Sequence, residues 1–249
     1  MRLYLSALLL FLLAIGCSKT EYVNNPGGAN ELHDKPVGTS ARPLLSASPY
    51  SSLRIEIQYM PGYAPDQNAL AHVHSMLSSI LNKPGGITIA TSEIPASSGS
   101  TLNIEQVFQV EKNNRRAFTT SNQIAVYVLY TNGHFTDGNV LGAAYRNTSV
   151  VLFGRTIHEN SGGLGQVSRT KLEATVLEHE LGHLLGLVDL GTPMQTNHRD
   201  AAHGHHCNNN SCLMYYTSDT RDILGFLLTG SIPSLDANCR ADLQANGGL

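Results

Sequence analysis

One segment of this 249-residue chain, from residue 170 to residue 189, constrains the fold more than any other. Its leucines and valines recur at helical spacing and form a wide apolar face, which predicts a long helix packed against a core. Thr170 and Glu173, three residues apart, have the pattern of a capping box at the helix start. Gly186 follows the last periodic leucine and can adopt the left-handed conformation that ends a helix. The sequence therefore predicts a helix with defined ends.

Two histidines lie one turn apart on this predicted helix, and a glutamate follows the first of them. Because residues four apart share a helix face, His179 and His183 can bind the same metal ion. Glu180 then lies beside the ion, where its carboxylate can contact a bound water molecule. Asp189 follows the turn at Gly186 and is the predicted third ligand. Three protein ligands with one open position are typical of a single catalytic Zn²⁺ ion.

The segment that follows, residues 190–220, is polar and has no hydrophobic period. It contains four histidines: His198, His203, His205 and His206. Three interpretations stay open for it. His198 replaces Asp189 as the third ligand, or the histidines form a second metal site with Cys207 or Cys212, or the segment is an exposed polar loop.

The pattern His-Glu-x-x-His-x-x-Gly-x-x-Asp resembles the metzincin group of zinc endopeptidases. Most members have His at the last position, and a minority, including the snapalysin-like ones, have Asp. Metzincins place a methionine on a turn beneath the zinc, and Met214 matches it. Tyr216 matches the tyrosine that lies near the metal in astacin-like and serralysin-like members. The spacing Cys207-x4-Cys212-x-Met214 is also similar to archaemetzincins, although those carry a later Cys-x-x-Cys pair where this chain has only Cys239.

The resemblance implies hydrolysis of protein or peptide substrates. Glu180 is expected to act as the general base for the attacking water and to deliver the proton to the leaving amine. Zinc, assisted by the Tyr216 hydroxyl, is expected to stabilise the oxyanion. Met214 is expected to pack beneath the site, and an exposed edge strand is expected to bind the substrate by strand addition. Two alternatives are a zinc-containing surface lipoprotein that binds without turnover and a zinc amidase with a non-protein substrate. The intact Glu180 argues against the first, because a structural zinc needs no general base.

Period-2 alternation over residues 53–59 predicts a strand, and helical spacing over residues 66–81 predicts a helix. Residues 124–130 are almost continuously β-branched or aromatic, as in a buried central strand. Residues 140–145 and 148–153 predict a strand pair. We therefore expect an α+β fold of the metzincin type, with a twisted mixed sheet, a long active-site helix and a small irregular C-terminal subdomain.

The N-terminus has the features of a secretory signal, with Arg2 before an apolar run that ends at Ile15. The run ends at Leu-Ala-Ile-Gly-Cys, which resembles a bacterial lipobox, so residues 1–16 are the expected signal and Cys17 a lipid anchor. A plain signal peptide is the alternative. Residues 17–50 are rich in helix- and strand-breaking residues, which predicts a flexible tether. The alternative is an extension that packs on the domain. The domain itself is expected to span residues 51–249. The protein is expected to be exported and held at a membrane, facing the periplasm or the cell surface.

Loss of the signal and acylation of Cys17 leave three cysteines, an odd number. A disulfide between Cys207 and Cys212, one between Cys212 and Cys239, and a metal site are the open alternatives. The formal net charge is −3, with 16 Lys and Arg against 19 Asp and Glu. A nucleic-acid partner is therefore not expected, because the chain lacks the basic excess that phosphate binding needs.

Overall fold

A five-stranded, mostly parallel sheet organises the computed structural model, which describes residues 32–249. The strands are β1 (Ser52–Tyr59), β2 (Ile87–Glu93), β3 (Thr101–Leu102), β4 (Gln123–Tyr130), β5 (His134–Phe135), β6 (Gly142–Arg146) and β7 (Ser149–Leu152). The order in the large sheet is β2-β1-β4-β7-β6, and β3 pairs with β5 in a second, two-stranded sheet. Within the large sheet of residues 32–249, only β6 runs antiparallel to its neighbour. The predicted strand pair is therefore confirmed, and β6 forms an edge of the sheet.

Helices cover the large sheet and fill the C-terminal part of the chain. They are α1 (Ala41–Leu45), α2 (Gln67–Ile80), α3 (Ile104–Asn114), α4 (Gly154–Glu159), α5 (Arg169–Leu184), α6 (Leu224–Thr229) and α7 (Ala237–Ala245). Two short 3₁₀ turns, Tyr216–Asp219 and Arg221–Ile223, precede α6. None of the helices in residues 32–249 is both long enough and apolar enough to cross a lipid bilayer.

The two faces of the large sheet contribute to two hydrophobic clusters. The larger cluster packs β1, β4 and β7 against α2 and α5 and continues into the C-terminal segment. The smaller cluster includes Tyr127 and Phe153, against which residues of α3 pack. Because the sheet is covered on both faces, β4 is almost entirely buried, as its continuous apolar sequence predicts. Helix α5 packs on the sheet face that contributes to the larger cluster.

The long helix predicted from the sequence is α5, and thirteen of its sixteen residues are buried. Gly186 adopts φ 75° after its end, which confirms the predicted stop. The predicted capping box is wrong, because the helix starts one residue before Thr170. The Thr170 hydroxyl instead donates to the Asp66 carboxylate at 3.0 Å, and Glu173 accepts from the Asp66 backbone N–H at 2.7 Å. Both side chains thus tie α5 to the N-terminus of α2, which Asp66 caps.

The flexible tether predicted for residues 17–50 is wrong for its described part, residues 32–50, which pack on the domain. Leu44 and Leu45 of α1 are buried in the larger cluster. The Lys83 ammonium donates to three carbonyls of this segment, those of Pro43, Ser46 and Tyr50. Residues 32–50 therefore form a compact strap on the domain, although breaker residues separate its apolar ones. The domain begins before residue 51, the predicted boundary. The predicted signal, Cys17 and residues 18–31 lie outside the described residues.

Candidate metal centre

Helix α5 brings His179 and His183 together in the interior of the molecule. Their Nε2 atoms are 3.0 Å apart, and the two side chains are 0% and 9% exposed. His179 Nδ1 lies 2.8 Å from the Leu213 carbonyl, and a carbonyl can only accept, so Nδ1 carries the proton. The Nε2 lone pair of a neutral His179 therefore points into the site. Burial lowers the pKa of both histidines, which keeps them in the neutral form that binds a metal ion.

A third imidazole, that of His206, completes the cluster. Its ring centroid lies 5.2 Å from that of His179 and 5.1 Å from that of His183. His206 Nδ1 donates to the His203 carbonyl at 2.6 Å, which leaves Nε2 as the acceptor. That Nε2 atom is buried and has no hydrogen-bond partner among the described residues. One nitrogen from each of the three histidines lies within 4.8 Å of the others, so these residues could hold a metal ion.

The structure does not bring Asp189, the predicted third ligand, to this cluster. Asp189 has φ 63°, its side chain is 57% exposed, and its carboxylate lies 3.6 Å from the Arg199 guanidinium. His198, the alternative, is also elsewhere, since its Nε2 lies 2.7 Å from the Asp242 carboxylate. After the left-handed turn at residues 188–189, the chain runs away from α5. It comes back to the two histidines of α5 at His206. The motif's fixed spacing therefore misses the third imidazole.

Glu180 occupies the position expected of a general base. It is 1% exposed, and its Oε2 accepts from the Ala144 backbone N–H on edge strand β6 at 2.6 Å. Its other oxygen, Oε1, is buried without a partner and lies against Gly142, where a Cβ atom would be 3.2 Å away. Burial, and next the nearby Asp219 carboxylate, raise the pKa of Glu180 well above its usual range, while the Ala144 N–H opposes them. Glu180 is therefore well placed to accept a proton.

Asp219 is a second carboxylate at this site, and the sequence analysis missed it. Its ligand oxygen lies within 4.8 Å of ligand atoms of His179 and Glu180. It ends the 3₁₀ turn Tyr216–Asp219, in a segment without periodicity, so no pattern in the sequence indicated it.

Met214 lies beneath the site, as predicted. It is fully buried, and a Cβ atom at Gly182 of α5 would overlap its Sδ atom. Gly182 thus allows the methionine to pack directly against the helix between the two histidines. Tyr216 stacks on His203 at 3.7 Å between ring centroids, and the His203 carbonyl is the one that orients His206. The oxyanion role predicted for Tyr216 stays a prediction.

A second cluster of potential ligands lies next to the first, and it contains three buried, free thiols: Cys207, Cys212 and Cys239. The Cys212 and Cys239 Sγ atoms are 3.6 Å apart, too far for the covalent bond of about 2.05 Å, so the expected disulfides are absent from the described residues. His198 Nδ1 lies 3.4 Å from Cys207 Sγ and 4.0 Å from Cys239 Sγ.

The thiols of this second cluster have pKa values shifted in different directions. Hydrogen bonds from Cys207 and then Cys239 lower the pKa of Cys212 to about 4. Hydrogen bonds with Cys207 and Cys212, together with burial, raise the pKa of Cys239. Asp242 holds His198, and although burial lowers the pKa of that imidazole, hydrogen bonds to Asp242 and Cys207 give it a net increase. The cluster thus stabilises a thiolate in the interior, which is a feature of metal-binding thiols.

Comparison with known proteins places these features in a family. The sequence profile described as metallo-peptidase family M12 matches residues 72–226, more than half of the chain. Archaemetzincin from Methanopyrus kandleri is similar in structure, with a TM-score of 0.55 and 15% identity over 79% of this chain and 96% of that one. Metalloproteinase-II from Bacteroides fragilis aligns with a TM-score of 0.45 and 13% identity, over 81% of this chain and 54% of that one. No curated protein matches the sequence. The archaemetzincin match confirms the predicted metzincin-like fold.

Proposed function

Because the chain belongs to metallo-peptidase family M12, we propose that it is a zinc-dependent endopeptidase whose metal ion is held by His179, His183 and His206. One observation carries the proposal: three imidazole nitrogens converge beside the buried carboxylate of Glu180. Imidazole nitrogens suit zinc, and three protein ligands leave the open position that a catalytic ion needs. The unpartnered Nε2 atom of His206 fits this assignment, since a buried acceptor without a partner is unfavourable until a ligand binds it.

When bound, zinc would lower the pKa of a water molecule and polarise the scissile carbonyl. Glu180 accepts the proton of the attacking water and later delivers it to the leaving amine. The Ala144 N–H holds one oxygen of Glu180, so the other, Oε1, is free for this exchange. The extended substrate pairs with the outer edge of β6, beside Glu180. The Tyr216 hydroxyl, whose ring stacks on His203, is proposed to assist at the oxyanion.

Replacement of the base tests the proposal. Glu180→Gln should lower kcat/KM for peptide cleavage by about 10³-fold, because general base catalysis contributes on this scale. Zinc content, measured by elemental analysis, should stay at the wild-type value because the three imidazoles are untouched. Glu178→Gln is the matched control, since Glu178 is equally buried two residues earlier but is hydrogen-bonded to His72. Near-full cleavage by Glu180→Gln would refute the assigned base.

The alternatives predict different results in the same assay. A surface protein that binds without turnover would cleave no peptide pool when fully loaded with zinc. An amidase would spare peptides yet release amine from non-protein amides. A chelator such as 1,10-phenanthroline should abolish cleavage in the proposed enzyme, and added Zn²⁺ should restore it.

We also propose that the protein is exported and carries lipid on Cys17, as the N-terminal sequence predicts. Labelled palmitate should appear on the wild-type protein and not on Cys17→Ala. Equal labelling of both would contradict this proposal and would leave the peptidase proposal untouched.

The thiol cluster supports a second proposal, a structural metal ion bound by Cys207, Cys212, Cys239 and His198. Ligand atoms of His198, Cys207 and Cys239, together with one of Asp236, lie within 4.8 Å of one another, and Cys212 Sγ lies 3.6 Å from Cys239 Sγ. The three thiols and the imidazole are buried, and four donors of this kind resemble a closed structural site. Asp242 orients His198 from behind, as second-shell carboxylates do for metal-binding histidines. A bound ion would also keep three thiols reduced in an exported protein, where free thiols otherwise oxidise. Elemental analysis should give two metal ions per chain, and one would contradict this proposal.

A further inference from the structure

Asp219 connects the catalytic helix to the edge strand. Its backbone carbonyl accepts from the Leu141 N–H at 2.7 Å, one residue before β6 begins. Its carboxylate lies within 4.8 Å of ligand atoms of both His179 and Glu180. The side chain thus lies at the junction of α5, β6 and the 3₁₀ turn that Asp219 ends. A substrate strand beside β6 would pass this junction.

One oxygen of this carboxylate, Oδ1, is buried and has no hydrogen-bond partner among the described residues. A buried carboxylate oxygen without a partner is unfavourable by several kcal/mol in general. Glu180, which is 1% exposed, adds a second unpartnered oxygen to the same site. Oε1 of Glu180 is explained by the water that it activates. Oδ1 of Asp219 has no such explanation in the proposed reaction.

No positive side chain in residues 32–249 pairs with Asp219. The nearest arginine along the chain, Arg221, donates to Asn139 instead, at 3.3 Å from its Nε and 3.0 Å from its backbone nitrogen. The ion pairs of the described residues do not include Asp219. The three imidazoles already supply the protein ligands of a catalytic ion. The missing partner of this carboxylate is therefore expected to come from outside the chain.

We infer that Asp219 is a specificity residue, whose carboxylate binds a positively charged group of the substrate next to the scissile bond. This inference rests on the proposed peptidase function. A Lys or Arg side chain has the required chemistry, since charge-assisted hydrogen bonds are roughly twice as strong as neutral ones. Two neighbouring carboxylates also disfavour an acidic residue at this position, which gives selectivity by repulsion.

The test uses peptides that differ only in the residues flanking the scissile bond: Lys, Arg, norleucine or Glu. Each peptide has an acetylated N-terminus, so that only the flanking side chain differs in charge. Wild-type enzyme should prefer the basic peptides, and Asp219→Asn should reduce the Lys-to-norleucine ratio of kcat/KM by about 30-fold or more, the scale for removing one partner of a buried charge pair. Asp222→Asn, an exposed acid three residues later, is the matched control and should keep the wild-type ratio.

Two further measurements separate the possible failures. Zinc content should be equal in wild type and Asp219→Asn, and a loss of zinc would reassign Asp219 as a metal ligand and overturn the inference. Binding of uncleavable ketomethylene analogues should show the same Lys preference by calorimetry. An equal loss with all peptides would also overturn the specificity role while leaving the peptidase proposal intact. Cleavage and binding of no peptide at all would overturn the peptidase proposal and this inference with it.

Discussion

The histidine cluster and the thiol cluster are neighbours that differ in almost every chemical respect. His206 belongs to the first and Cys207, the next residue, to the second. The first offers three imidazoles, a free carboxylate oxygen and an edge strand alongside. The second offers three thiols and one imidazole, buried between the 207–214 loop and α7. The number of donors and the access of substrate thus distinguish a site suited to catalysis from one suited to a structural ion.

The same loop serves both clusters. The Leu213 carbonyl orients His179, and Met214 packs against α5 at Gly182. From the other side, the Met214 carbonyl accepts from the Cys207 N–H at 2.7 Å, and the Met214 N–H lies 3.4 Å from Cys212 Sγ. The thiol cluster therefore fixes the floor of the histidine cluster and the backbone next to its third imidazole. We expect changes in the first cluster to affect chemistry directly and changes in the second to act through stability.

The largest effect should come from His206. His206→Ala should lower peptide cleavage by about 10³-fold or more and reduce zinc content, because the third imidazole is lost from the open site. Asp189→Ala should leave cleavage and zinc content close to wild type, since that carboxylate is exposed and faces Arg199. The two variants are measured together by kcat/KM and elemental analysis. The reverse result, with activity lost in Asp189→Ala and kept in His206→Ala, would restore Asp189 as the ligand.

His206, the proposed third ligand, shows where sequence reasoning stopped. A fixed pattern on a helix is local, so His179, Glu180 and His183 follow directly from spacing. His206 reaches the site only after the irregular segment 187–205, whose path depends on tertiary contacts. The one local signal was its position directly before Cys207 and near Met214, whose turn was predicted beneath the metal. Asp219 had no signal at all, because a 3₁₀ turn has no hydrophobic period to place it.

The fold was more predictable than the site. Strands β1, β4, β6 and β7 and helices α2 and α5 follow from hydrophobic period and composition, which are local properties. The strap formed by residues 32–50 was not predicted to pack, because its few apolar residues are separated by breakers. Its burial depends on partners distant in sequence, such as Lys83, which binds three of its carbonyls. Composition alone does not contain that information.

The second effect concerns stability. Cys212→Ser should lower the free energy of unfolding by about 3–5 kcal/mol, since it weakens the buried site of the proposed structural ion, whose binding would contribute to folding. Metal stoichiometry should fall by one ion per chain, and any remaining cleavage should persist at low temperature with zinc present. Ser211→Ala, an exposed neighbour, is the control. Unchanged stoichiometry in Cys212→Ser would show that Cys212 is not a ligand and would contradict the proposed four-ligand site.

The smallest effect is a pH dependence of opposite sign in the two clusters, measured by urea unfolding of the metal-free protein from pH 5 to 8. Burial lowers the pKa of His183, so below about pH 6.5 the unfolded chain binds a proton that the folded one does not, and stability falls with acid. The hydrogen bonds of His198 raise its pKa, so its contribution is present below about pH 6.5 and is lost as the pH rises through the folded-state value. Each histidine changes the slope of unfolding free energy against pH by at most about 1.4 kcal/mol per pH unit.

His183→Gln should therefore flatten the loss of stability in acid, whereas His198→Gln should steepen it. Slopes that change in the same direction would show that the two imidazoles have similar environments, and the contrast between an open catalytic cluster and a closed structural one would then lose its electrostatic basis.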